Sequence, residues 1–339
     1  PLTLNFLTST SMSSTSSKRT VPDDTSSQAK RARISSSSSS NTNGGLTTSI
    51  PEGNLLFAVP KKGRLYDRVL KLLTGMGVIF RRKARLDIAN SSNMPITLIF
   101  LNAHDIAVFV SKGDVDLGIT GQDIVAETKS TVTVEKKMNI GQCKLALQAP
   151  RDECHKDPKS FAGKRVVTSF PNLAKQYFAK FDAELGVETS IQYVSGSVEA
   201  ACGLGLADCV VDLVETGTTM RAAGLDVVDY IMTTETVLVS NPNSKYKELI
   251  KQLSSRLTGY QMANSYNMVT YNIERTKVPQ ASAITPGVQA PTVIALQQEG
   301  WVAIQAMVPS KNVPQVMEDL KTLGATGIIA MSIANCRMD

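Results

Sequence analysis

Cys209-Val-Val-Asp212-Leu-Val-Glu215-Thr216-Gly217-Thr218-Thr219-Met-Arg-Ala-Ala-Gly224 sets an apolar run, two acids and a hydroxyl-rich turn in direct succession. The run suits a buried strand, and the segment from Thr218 to Gly224 suits a short helix with a glycine stop. The turn between them delivers Asp212 and Glu215 to the end of the strand. The exposed N–H groups of a helix start favour an anion, Gly217 lets a ligand approach the backbone, and Thr216, Thr218 and Thr219 offer hydroxyl donors. The two carboxylates suit sugar hydroxyls or a Mg²⁺ ion. A capped helix start with no ligand satisfies the same residues.

The flanking sequence repeats the strand-then-helix texture. Leu55–Val59, Ile96–Leu101, Asp116–Gly121, Cys143–Ala149 and Lys164–Ser169 read as strands, and helical spacing follows several of them. Asn172 is placed to cap a helix carrying Leu173, Tyr177, Phe181 and Leu185 on one stripe. Helical spacing also covers Val198–Leu206, interrupted by glycines. This alternation implies open, mainly parallel sheets with ligands at the carboxyl ends of the strands. Beyond Tyr246 the pattern changes. A helix through Ile250 and Leu257 precedes a β-α-β-β-α-β order, in which Pro279–Pro286 leaves little room for the first helix.

Three further turns are candidates to converge with the first. Lys61, Lys62, Gly63 and Arg64 follow the first strand, with a solvated basic turn as the plain alternative. Gly118, Thr120 and Gly121 form a tight turn suited to a nucleotide or phosphate, or a simple strand-to-helix reversal. Ser197 and Glu199, after Gly196, form a second potential anion nest or an ordinary N-cap. His104 reads as a surface or capping residue.

Composition removes other chemistries. The 339 residues carry a net charge of +6, and residues 1–51 hold five basic and two acidic side chains, so half of that charge sits in the tail. Nucleic-acid coating is therefore not expected. Ser and Thr fill 24 of the first 50 positions, a composition that cannot form a core. The cluster Lys30, Arg31 and Arg33 reads as part of a solvated tail, and Asp23 and Asp24 argue against a mitochondrial presequence. No apolar run approaches the roughly 20 residues of a membrane span. Five cysteines with no CxxC indicate reduced thiols and an intracellular, cytoplasmic protein, and two histidines make an imidazole zinc site improbable. Neither a Walker loop nor a dinucleotide fingerprint is complete: Gly163-Lys164 lacks the upstream glycine, and Gly203-Leu-Gly205 lacks the third.

From about Asn54 to the C-terminus the chain resembles the long form of ATP phosphoribosyltransferase, most closely its fungal members. The resemblance rests on Asp212–Gly224 together with Lys62-Gly-Arg-Leu65, Val115-Asp-Leu-Gly-Ile-Thr-Gly121, Val194-Ser-Gly-Ser-Val-Glu-Ala200, Thr285-Pro-Gly287 and Ala290-Pro-Thr292. It implies an α/β fold with a two-lobed, periplasmic-binding-protein-like catalytic core and a C-terminal ferredoxin-like regulatory domain. The expected bounds are 1–52 for a disordered tail, 53–148 with 229–243 for lobe one, 149–228 for lobe two, and 246–339 for a histidine-binding domain.

The implied reaction joins ATP and 5-phosphoribosyl 1-pyrophosphate, with Mg²⁺, to give N1-(5-phosphoribosyl)-ATP and pyrophosphate in the first step of histidine biosynthesis. Histidine is the implied feedback inhibitor and a homohexamer the implied assembly. By the same resemblance Asp212 and Glu215 lie near the ribose hydroxyls, and Thr216–Thr219 hold the 5-phosphate. Arg64, with Lys61 or Lys62 beside it, faces phosphates of either substrate. The departures Asp105-Ile-Ala107 and Val288-Gln289 fall where relatives carry Asp-Ile-Pro and two arginines. Two other classes share parts of this pattern: a non-enzymatic two-lobe solute-binding module, and a phosphoribosyltransferase for another base.

Overall fold

The computed structural model describes residues 50–63, 65–83 and 86–337. The serine-rich tail up to residue 49 and Arg64 lie outside them. The chain starts with β1 (Leu55–Pro60), α1 (Tyr66–Gly75), β2 (Ile88–Asn90), β3 (Ile96–Leu101), α2 (Ala103–Lys112), β4 (Leu117–Gly121), α3 (Gln122–Glu127) and β5 (Thr133–Lys137). It continues through β6 (Cys143–Pro150), β7 (Arg165–Thr168), α4 (Pro171–Leu185), β8 (Ser190–Tyr193), α5 (Ala200–Gly203), β9 (Cys209–Val214), α6 (Thr218–Ala222) and β10 (Leu225–Thr234). The remaining elements are β11 (Thr236–Ser240), α7 (Lys247–Ser265), β12 (Tyr266–Glu274), α8 (Val278–Ile284), β13 (Thr292–Ala295), β14 (Trp301–Pro309), α9 (Val313–Leu323) and β15 (Thr326–Ser332).

These strands form three sheets. The first runs β2-β3-β1-β4-β11-β5. Its central strands are parallel, with Leu55 opposite Ile96 and Phe57 opposite Leu117. Strand β1 is apolar throughout because both its faces are covered. Leu55, Phe57 and Val59 pack with α1 and α7, whereas Ala58 packs with Ile106 and Val110 of α2. The second sheet runs β10-β6-β9-β7-β8, with β7, β8 and β9 parallel. Its core joins Leu145, Leu147, Val166 and Val211 to Phe178 of α4. This is the α/β class expected from the alternation, in the two-lobed arrangement that the resemblance implies.

The lobe boundaries differ from the expected ones. Strands β6 and β10 pair with each other, Leu147 facing Asp229 and Lys144 facing Thr233, and β6 also pairs with β9. Residues 143–148 and 229–234 therefore belong to lobe two, and the chain crosses near 138–142 and at Thr234–Thr236. The crossings bind one another: Met138 N–H donates to Thr236 O at 3.0 Å, and Thr236 N–H to Ile140 O at 3.1 Å. Alternation marks a strand but not its sheet, which is why the bounds 148 and 229 moved.

Helix α7 buries Ile250, Leu253 and Leu257 in the core of lobe one rather than in the C-terminal module, although the sequence grouped it with the latter. The third sheet, β13-β14-β12-β15, is antiparallel throughout and has α8 and α9 on one face. This is the ferredoxin-like order. Helix α8 fits despite Pro279, because a proline in the first turn removes an N–H that has no helical partner.

Two helix expectations changed. The stretch 198–206 keeps only the single turn of α5. Helix α4 begins at Pro171, with Phe170 rather than Asn172 at the cap position.

Candidate active site

A cavity of about 390 Å³ lies between the lobes. Lobe one supplies residues just beyond the carboxyl ends of its strands: Lys62 and Gly63 after β1, Ala103 after β3, and Gly121 with Asp123 at the end of β4. Lobe two supplies Phe170 after β7, and Leu213 and Glu215 at the end of β9. The crossings supply Gly141, Thr234, Glu235 and Thr236 as the floor. Parallel strands end with unpaired backbone groups and diverging loops, so ligands collect there. A larger but shallower groove runs along the start of α7, past Asn93, Tyr246 and Arg256.

The expected residues separate in this setting. Lys62, Gly63, Gly121 and Glu215 meet at the cavity. Lys61 turns aside to Asp87, with Nζ 3.6 Å from Oδ2. Gly118 is buried inside β4, where a Cβ would fall 2.6 Å from Ile106 and 2.9 Å from Val110. It is a packing glycine that lets α2 sit on the sheet. Thr120 is fully buried and donates to Ala103 O at 3.0 Å, tying β4 to the start of α2. Ser197 has a positive φ of 49° and an exposed side chain, and neither it nor Glu199 lines the cavity.

Strand alternation divides the acids. Leu213 and Glu215 point to the cavity, whereas Asp212 shares the opposite face with Val210 and Val214, toward α5 and α6. The Asp212 carboxylate accepts from Leu213 N–H at 2.8 Å, and its carbonyl accepts from Gln148 Nε2 at 3.1 Å. Directly after Glu215, Thr216 and Thr218 share a hydroxyl contact of 3.0 Å. Gly217 adopts φ +72° at the start of α6. Arg221 folds back over the turn, its Nη2 donating to Thr216 O at 2.6 Å. Arg151 in turn donates to Arg221 O at 3.0 Å.

Sequence reasoning missed Arg68, Asp123, Phe170 and Glu235, all of which line the cavity. Arg68 lies one helical turn past the basic turn, a spacing that could have found it. Asp123 is 6% exposed and exchanges two bonds with Thr234, donating from its N–H at 3.0 Å and accepting at Oδ1 at 2.9 Å. No local pattern joins residues 111 positions apart. The lining thus sets cations from lobe one (Lys62, Arg68) against acids from both lobes and the crossing (Asp123, Glu215, Glu235), a distribution suited to a ligand carrying both phosphates and hydroxyls.

Comparison with known proteins places the chain in a family. Residues 102–259 match the family model described as ATP phosphoribosyltransferase, and residues 263–335 match the C-terminal domain model of the same family. The ATP phosphoribosyltransferase of Yarrowia lipolytica is 46% identical over 286 residues, covering 84% of this chain and 97% of that protein. The chain belongs to the ATP phosphoribosyltransferase family. The Saccharomyces cerevisiae member is 44% identical over the same shares of both chains. Among solved structures, an ATP phosphoribosyl transferase (HisG:HisZ) complex from Thermotoga maritima superposes with a TM-score of 0.52 at 27% identity, covering 60% of this chain and 98% of that one.

Proposed function

We propose that the interlobe cleft transfers the phosphoribosyl group of 5-phosphoribosyl 1-pyrophosphate to N1 of the ATP adenine. The N1 lone pair forms the new bond to the anomeric carbon, and pyrophosphate departs with the electrons of the broken C–O bond. Adenine N1 is already nucleophilic, so alignment and charge stabilisation supply the catalysis rather than a strong base. The observation that carries this reading is the meeting of Lys62 and Arg68 from one lobe with Glu215 from the other, immediately ahead of the threonine turn.

In this reading Thr216, Gly217, Thr218 and Thr219 hold the ribose 5-phosphate, and Arg221 holds the turn in shape through Thr216 O. Glu215 faces the ribose hydroxyls. Asp212 supports the same turn from the opposite side of the strand. Lys62, Arg68 and Arg64 compensate the pyrophosphate or the triphosphate. Phe170 offers the cavity an aromatic surface at the carboxyl end of β7.

Among the described residues no group of three acidic, histidine or cysteine side chains forms a metal cage. Mg²⁺ fits a site of another kind, bound mainly through substrate phosphates with the cavity-facing carboxylate of Glu215, where it would neutralise charge on the leaving group; Asp212, on the opposite face of β9, is not placed to share it. Histidine inhibits by binding the C-terminal domain, whose separate sheet lies outside both lobes, and a homohexamer carries the regulation. No helix among the described residues is long and apolar enough to cross a membrane. A cytoplasmic location is part of the proposed reading and rests on the five reduced cysteine thiols.

The test mixes protein, ATP, phosphoribosyl pyrophosphate and Mg²⁺ and follows phosphoribosylated ATP by mass spectrometry. The wild type forms product. Thr216→Val, which keeps the shape of the side chain and removes its hydroxyl, slows turnover on the order of 10²-fold without lowering the melting temperature. Product formation unaffected by Thr216→Val would remove the turn from the site.

A further inference from the structure

The contact that joins the lobes beside the cleft is not used by the chemistry above. Helix α3 leaves β4 at the cavity and belongs to both lobes. Val125 packs with Ile106 and Val110 of lobe one, while Ile124 packs with the core of lobe two that contains Leu147 and Phe178. The last residue of α3, Glu127, is only 3% exposed.

Each oxygen of its carboxylate accepts a backbone N–H from the first turn of α4, Asn172 at 2.9 Å and Leu173 at 2.9 Å. The backbone carbonyl of Glu127 accepts from Asn172 Nδ2, also at 2.9 Å. Helices ordinarily draw this cap from a neighbouring Ser, Thr, Asn or Asp. Here Phe170 and Pro171 provide none, and a carboxylate 45 positions away in lobe one provides it instead. A buried charge is costly without partners, so the two N–H bonds and the positive end of the 15-residue α4 hold the lobes at one separation.

We infer that Glu127 is a positioning residue for the transfer. By capping α4 across the lobe boundary, it sets where the threonine turn of lobe two stands relative to Lys62 and Arg68 of lobe one. The inference rests on the proposed reading of the cleft. Neither Glu127 nor Asn172 lines the cavity, so their influence passes through alignment. Displacements near 1 Å can cost on the order of 10²-fold in rate.

The test compares wild type, Glu127→Gln, Asn172→Ala and the double variant, in whatever assembly the full chain forms. All are assayed at a temperature where circular dichroism shows them folded. With both substrates saturating, kcat of Glu127→Gln should fall at least about tenfold, and Asn172→Ala should fall less. The double variant should be no slower than Glu127→Gln, because both substitutions open one contact. The calorimetric Kd for ribose 5-phosphate alone should stay within about threefold of wild type, because the turn proposed to hold its phosphate is contained in lobe two.

A lowered melting temperature with unchanged kcat would show a cap that only stabilises, and would overturn the inference. So would parallel loss of kcat and of ribose 5-phosphate binding. If Glu127→Gln does not fold, an unchanged kcat in Asn172→Ala overturns it alone. A wild type that neither binds ribose 5-phosphate nor turns over fails the cleft reading instead, which keeps the two failures distinct.

Discussion

Gly217→Ala tests whether the threonine turn is built for a ligand. Gly217 is buried with φ +72°, a left-handed conformation that costs a residue with a Cβ roughly 1–2 kcal/mol. The added methyl would stand 2.5 Å from Arg221 Nη1 and 3.2 Å from Cζ. The guanidinium is the free end of a flexible side chain, so it moves rather than the backbone. Moving it breaks its 2.6 Å bond to Thr216 O, worth about 1 kcal/mol. The two effects together come to about 2–3 kcal/mol, within the 5–15 kcal/mol typical of a folded protein, so the variant folds. Turnover should suffer more, on the order of 10²–10³-fold, because the turn that presents its N–H and hydroxyl donors is displaced.

Gly224→Ala is the control. Its φ is +75° and nothing lies within 4 Å of an added Cβ, so it carries the conformational cost without disturbing the turn. Guanidinium denaturation measures stability, mass spectrometry measures turnover, and added phosphoribosyl pyrophosphate should raise the melting point of wild type and Gly224→Ala but not of Gly217→Ala. Equal turnover in the two alanine variants, with ligand protection intact in both, would show that the turn is an ordinary helix start.

Two further outcomes follow from the packing. Gly118→Ala forces a methyl against Ile106 and Val110 and should destabilise by about 1–3 kcal/mol while leaving turnover per folded molecule unchanged, measured by denaturation beside the product assay. At the surface of lobe two, Arg165 donates from its side chain and its backbone N–H to Asp208 and holds that carboxyl below the usual range. A depressed folded value means the stabilisation is complete above the ordinary carboxyl value near about pH 4 and is lost as pH falls through the folded value. Asp208→Asn should therefore lose at most about 1 kcal/mol at pH 5–8, the pair being partly solvated, and denaturation curves of the two proteins should converge below about pH 4.

What the amino-acid order determined by itself was local. The apolar run before Asp212, the hydroxyl turn at 216–219 and the β-α-β-β-α-β order after residue 265 were all readable, because periodicity and turn chemistry act within a few residues. The α/β class with mainly parallel sheets followed from the same alternation, whereas the division into two lobes was implied only by the family resemblance of the motifs. Tertiary structure alone decided which sheet β6 and β10 join, that α7 packs on lobe one, and that Gly118 and Thr120 serve packing while Gly121 reaches the cleft. It also assembled Arg68, Asp123, Phe170 and Glu235 around one cavity, and it gave α4 its cap from Glu127 rather than from the adjacent Asn172. A strand's alternation states that one face is buried and is silent on what buries it. A carboxylate meets a helix start 45 positions away only after two independent sheets have formed and docked, and no pattern within either segment records that meeting.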